Sequence, residues 1–288
     1  SRSFSERLGG IPGMSANKVE KASREIARVE SKLDEDDFFK THFVDVIMYR
    51  FTTIGEQVRI YVGDKINDYF AFDGAPSEKA HIIAHSLGTS VTHDTLNALY
   101  TRGIDGRRLN KKTQKIGSLH LVANVGKVLE TKENGLLSES CVNPSTKKGC
   151  VRVYREYRHH LDPFTWVKQF NPKKNGKWVS DFEYQWMYSL EQFNDVTQTG
   201  GHTHAVAHYI ANPRVHLQMM RDIFGIEPTT EERSRVAAAY EAKTKDAKAR
   251  EISEAFNDMK LGDHSSIVGL GKACKELYDF TKKWGGQF

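Results

Sequence analysis

Apolar positions recur at two different periods along this chain. Val19, Ala22, Ile26, Val29 and Leu33 are spaced by three and four, which predicts a helix capped by Ser15 or Asn17. Residues 43–49, FVDVIMY, are dense in β-branched and aromatic types and predict a buried strand. Ile54, Val58, Tyr61, Val62, Ile66 and Tyr69 return to helical spacing, and DGAPSE ends that run. The short AHIIAH at 80–85 predicts a strand, and the pattern from Thr89 to about Arg102 is helical, with Val91, Leu96 and Leu99 as core positions.

Further along, IGSLHLVANV (116–125) predicts a buried strand, CVRVYREY (150–157) a strand, and QFNDV (192–196) a short one. Between the first two, residues 131–150 form a polar, Lys- and Ser-rich insertion expected on the surface. The aromatic-rich WVSDFEYQWMY (178–188) fits no single period, and residues 204–224 predict a helix or helix pair broken near Pro213. From Thr229 the pattern is mostly helical, with Ile252, Phe256 and Met259 forming an apolar stripe.

Strands that alternate with helices predict an α/β protein with a mostly parallel central sheet and helices on both faces. A main domain over 1–225 and a helical C-terminal extension over 226–288 follow from this pattern, and 288 residues suffice to bury a core without covalent staples.

Composition narrows the partners. Lys and Arg outnumber Asp and Glu by 42 to 37, a formal charge of +5, but the basic residues are scattered and read as solvated surface rather than a nucleic-acid stripe. Cys141, Cys150 and Cys274 cannot make a disulfide framework, although the first two could close one small loop in an oxidising compartment. No apolar run approaches the roughly 18 residues of a bilayer span, and no signal-peptide pattern is visible. A reduced, cytoplasmic setting is therefore expected.

The chemistry centres on Ala84-His85-Ser86-Leu87-Gly88, a small-x-Ser-x-Gly pattern between a predicted strand and a predicted helix. A turn this tight asks for small residues two positions before and after the serine. It holds Ser Oγ above the sheet edge and aims the Leu87 N–H and the helix N-terminus at the place where an oxyanion would form. The competing reading is a helix N-cap, where Ser is favoured in any case.

HIIAHSLGTSV resembles the nucleophile elbow of the α/β-hydrolase superfamily, in particular its lipase and esterase branch. The resemblance covers roughly residues 40–225 and is specific at the elbow. It implies a triad in the chain order Ser, acid, His and an acyl-enzyme route that needs no metal or organic cofactor.

The acid should follow a strand. Asp162, in YRHHLDPFTW just after the strand-like VRVYREY, is the first choice; Asp195 is its rival, and Asp-Pro is also a common turn opener. For the base, TGGHTHAVAHYIANP offers His202, His204 and His208. His204 fits best, where Gly and Thr give way to the helix-like AVAHYI, with His202 as competitor and His208 read as a helix residue. The remaining histidines, among them His85, His93, His159 and His160, are read as structural or surface residues.

The resemblance also implies a second oxyanion donor from a loop after an early strand. Gly9 and Gly10 could be its remnant, or the first strands and their donor lie upstream of Ser1.

The expected function is hydrolysis of a small-molecule ester or lipid, with no nucleic-acid partner and a peripheral membrane contact left open. Trp166, Phe170, Trp178, Phe182, Tyr184, Trp186 and Tyr188 could cap an acyl pocket or simply form core. Two alternatives stand beside this one: a metal-dependent hydrolase using His202-x-His204-x-x-x-His208, and an inactive hydrolase-like interaction module.

Overall fold

The computed structural model describes residues 37–246 except 73–76, 146–147, 166–167, 173–177, 179–185, 194 and 198–202, together with five separate positions beyond 268. The predicted helix over 15–33, Gly9 and Gly10, His202 and the stripe Ile252, Phe256 and Met259 lie outside the described residues.

The described elements run α1 (Asp37–Phe51), α2 (Ile54–Ala71), β1 (Ala80–His85), α3 (Leu87–Tyr100), β2 (Ile116–Val122), α4 (Gly126–Leu129), β3 (Val151–His159), β4 (Tyr188–Phe193), β5 (Asp195–Thr197), α5 (Val206–Ala211), α6 (Pro213–Phe224), α7 (Thr230–Glu241) and β6 (Thr244–Asp246). The chain divides into two compact units, one of Ser1–Arg59 with Glu254–Gly286, the other of Ile60–Ser253 with Gln287–Phe288.

In the larger unit, β1-β2-β3-β4 form a four-stranded sheet in that order, and every neighbouring pair is parallel. The architecture is α/β. Parallel strands need long crossovers, which α3 supplies between β1 and β2. A separate antiparallel pair joins β5 to β6, a three-residue strand after α7. Among the described residues no helix is long and apolar enough to cross a membrane.

Because successive side chains on a strand point to opposite faces, the sheet separates two cores. Ala84, Leu119, Leu121 and Tyr154 pack with Leu96, Leu99 and Tyr100 of α3 on one face. On the other, Val122, Tyr157 and Phe193 pack with Tyr209, Val215 and Met219 of α5 and α6. The α6 face also buries polar groups. There Ser118 Oγ lies 2.9 Å from His81 Nδ1 and 3.0 Å from His120 Nε2, and His120 Nδ1 lies 2.9 Å from the Tyr157 hydroxyl. Arg155 Nε reaches Asp222 of α6 at 2.7 Å.

Two expectations are corrected. FVDVIMY is not a strand but the middle of α1, a 15-residue helix. A short run that is apolar on every side has no period to distinguish strand from helix, and here the length of the element decides. The turn at Ser86 also does not need a small residue at 88: a Cβ on Gly88 would meet nothing within 4 Å, whereas Ala84 is buried.

Of the aromatic stretch, Phe170, Trp178 and Tyr188 are buried in the core on the α3 face, with Tyr154 stacked on Tyr188 at 5.7 Å and edge-on to Trp178 at 5.1 Å. Trp186 is exposed, and Trp166, Phe182 and Tyr184 lie outside the described residues.

Candidate active site

The site is built where β1, β3 and the chain beyond β5 all end, at the carboxyl edge of the parallel sheet. Ser86 continues the ladder of β1, its N–H donating to Val122 O at 3.0 Å, and α3 starts at the next residue. Its backbone stands at φ 52°, ψ −127°. For a residue with a Cβ, that positive φ is a strained conformation that the surrounding structure must hold in place. Hydrogen bonds on both sides of the turn fix it: Ser86 O accepts from Thr89 N at 2.9 Å and Thr89 Oγ1 at 2.6 Å, and Thr89 Oγ1 accepts in turn from Val125 N at 3.2 Å.

Ser86 stands at the N-cap position of α3, but its side chain makes no cap hydrogen bond. The hydroxyl faces His204 instead, with 2.8 Å between Ser86 Oγ and His204 Nε2. The other ring nitrogen, Nδ1, lies 2.9 Å from each carboxylate oxygen of Asp162. An ionised carboxylate can only accept, so Nδ1 carries the hydrogen and Nε2 is left to accept from the serine hydroxyl. Asp162 and His204 are 0 % and 1 % exposed, while Ser86 is only half-buried and open to an incoming molecule.

Asp162 is held by its own loop. The turn Pro163–Thr165 brings Phe164 N–H to Asp162 Oδ1 at 3.1 Å, and Thr165 donates twice to Asp162 O, from N at 3.1 Å and Oγ1 at 2.9 Å. Thr203 Oγ1 donates to Leu161 O at 2.7 Å and so ties the histidine loop to the aspartate loop. Burial by itself would push the Asp162 carboxyl up, but the His204 ring and the hydroxyl of Tyr209 outweigh it and hold the group below the usual carboxylate range.

Tyr209 is the residue that sequence reasoning missed. Its hydroxyl donates to Asp162 Oδ2 at 2.6 Å and accepts from His159 N at 3.2 Å, and the ring is fully buried. Burial and the adjacent Asp162 charge push its phenol well up, so it stays a donor. A spacing of five residues from His204 along HAVAHY carries no signal for this contact, because the tyrosine reaches back from α5 to a loop 47 residues away. The His204 ring is flanked by Phe164, with centroids 4.5 Å apart, and by His85 at 4.9 Å, whose Nε2 sits 2.7 Å from His204 O.

Leu87 is the first residue of α3, so its N–H is among the donors at that helix end that have no partner within the helix. The second oxyanion donor expected from Gly9 and Gly10 lies outside the described residues.

The rivals for each role are placed elsewhere. The carbonyl of Asp195 lies 3.1 Å from His159 Nε2 and 3.2 Å from His208 Nε2, so His208 turns its ring to β5 and not to Ser86. His159, read from sequence as structural or surface, is buried, and burial lowers its imidazole to about 4. Among the described residues, no group of three or more His, Cys, Asp or Glu is arranged to hold a metal ion.

Compared with known proteins, the chain matches no family model, no curated protein and no solved structure.

Proposed function

We propose that this chain is a serine hydrolase that cleaves carboxylic esters, built as an α/β-hydrolase. The observation that carries the reading is the unbroken line of hydrogen bonds from Ser86 Oγ through the His204 ring to Asp162. It is supported by the strained turn at Ser86 between β1 and α3, and by the chain order of the three residues.

In the proposed mechanism, Ser86 Oγ attacks the ester carbonyl as His204 Nε2 takes the hydroxyl proton. The tetrahedral oxyanion is met by Leu87 N–H at the start of α3. Asp162 keeps Nδ1 protonated and balances the charge that forms on the ring. His204 then passes its proton to the leaving alkoxide, which departs as the alcohol. Water, deprotonated by the same nitrogen, attacks the acyl-Ser86 ester, and the carbonyl carbon–Ser86 Oγ bond breaks as Ser86 Oγ takes the proton back from His204, releasing the acid.

A fluorophosphonate probe tests the reading, because it reacts only with a serine that a base has activated. The expected result is a single adduct mapped to Ser86, lost in Ser86→Ala and in His204→Ala, with turnover of a p-nitrophenyl ester lost in parallel. Absence of both labelling and turnover in the folded full chain would overturn it.

A further inference from the structure

We propose that Cys141 and Cys150 form a disulfide site that closes the segment leading into β3. The claim stands apart from the reading of Ser86 and does not depend on it.

The two residues are already placed for the bond. Cys150 N–H donates to Cys141 O at 2.8 Å. With standard backbone dimensions that contact limits their Cα atoms to about 6.7 Å apart, inside the roughly 4.4–6.8 Å that a disulfide spans. Each thiol also acts on the other: the Cys150 side chain draws the Cys141 thiol down, while burial, with Cys141 beside it, pushes the Cys150 thiol well up. Both residues belong to the same packed cluster as Leu137, Val142 and Val151, at 7 % exposure for Cys141 and none for Cys150. Neither thiol takes part in the chain of contacts at Ser86, so catalysis gives no reason for the pair.

The oxidant is a small-molecule disulfide such as oxidised glutathione. The Cys141 thiolate, the more accessible of the two, attacks one glutathione sulfur and expels the other as glutathione thiolate. Cys150, after losing its proton, then attacks Cys141 Sγ in the mixed disulfide and expels the second glutathione. Two cysteine thiols lose two electrons and two protons, and one glutathione disulfide becomes two glutathiones.

A disulfide here acts mainly by restricting the unfolded chain. It would fasten the residue just before β3 to the loop that leads into it, at the opposite end of the strand from Asp162. The expected effect is a rise in Tm of about 5–10 °C, with no change in the reactivity of Ser86.

The test is to unfold the full chain and refold it in a glutathione redox buffer, with a second sample kept in dithiothreitol throughout. Peptide mapping should find Cys141 joined to Cys150 with two hydrogens lost and Cys274 in no linked peptide, and the oxidised sample should melt higher. Cys150→Ala and, independently, Cys141→Ser should remove both the link and the difference in Tm. If both thiols remain free to iodoacetamide after oxidative refolding, or if the linked chain melts lower than the reduced one, the proposal is overturned.

Discussion

At the carboxyl end of β1, Ser86 Oγ lies 2.8 Å from a histidine nitrogen; in the middle of β2, Ser118 Oγ lies 3.0 Å from another. Each histidine hands its second nitrogen to a further oxygen, Asp162 for His204 and the Tyr157 hydroxyl for His120. The two chains of contacts differ in three physical respects. Ser86 is half-buried and Ser118 fully buried. Ser86 occupies a strained backbone position at the start of a helix, while Ser118 sits in a strand. Behind His204 stands a carboxylate, which can balance an imidazolium, and behind His120 a neutral phenol that cannot. A serine and a histidine in contact do not by themselves make a nucleophile; on the proposed reading, access, a fixed turn and a charge behind the ring set Ser86 apart from Ser118.

The largest test of that contrast is a pair of alanine substitutions. Ser86→Ala should lower ester turnover by a factor on the order of 10⁴–10⁶ and abolish fluorophosphonate labelling. Ser118→Ala should leave labelling at Ser86 intact, and labelling lost equally in both variants would erase the distinction. Next in size, Asp162→Asn keeps the shape but removes the charge and the preferred tautomer, and should cost about 10⁴-fold in kcat. The corresponding change behind His120, Tyr157→Phe, should leave kcat within a few-fold of the parent.

Acid separates the two regions less than it unites them. Burial lowers both His120 and His159 to about 4. In the unfolded chain each takes up a proton near the ordinary histidine value, so between about pH 6.5 and 4 the unfolded state holds more protons. Their contribution to stability is therefore complete above about pH 6.5 and is lost as the pH falls towards 4, at roughly 2–3 kcal/mol each. Denaturant midpoints at pH 7, 5.5 and 4 should fall accordingly. His120→Gln should flatten that fall, and an unchanged slope would show that His120 does not contribute.

The smallest expected effect concerns Tyr209. Removing its hydroxyl in Tyr209→Phe deletes one donor to Asp162, and should lower kcat/KM about tenfold, the size of one hydrogen bond to a charged group, with KM unchanged. A rise in KM with kcat intact would instead make Tyr209 a packing residue.

Several of these features were legible along the chain. AHIIAH, IGSLHLVANV and CVRVYREY contain β1, β2 and most of β3, because buried parallel strands are continuous apolar runs bounded by turns. The turn at Ser86 was legible because strand, serine, glycine and helix follow one another within a few residues. The helix at 43–49 was misread, since β-branched density marks burial as much as strand. Tyr209, Phe164 and His85 were passed over because their contacts with Asp162 and His204 depend on loops that meet only in space.

The sequence by itself determined what local order can encode: the alternation of strands and helices, and a serine held in a tight turn with a helix N-terminus beside it. Only the tertiary structure decided which histidine and which aspartate stand behind that serine. His204 lies 118 residues from Ser86 and Asp162 lies 42 from His204, and what brings them within 3 Å is the parallel register of the sheet. That register sets all the carboxyl ends of the strands on one edge. Periodicity records which face of a strand is buried, but not which loops will share that edge.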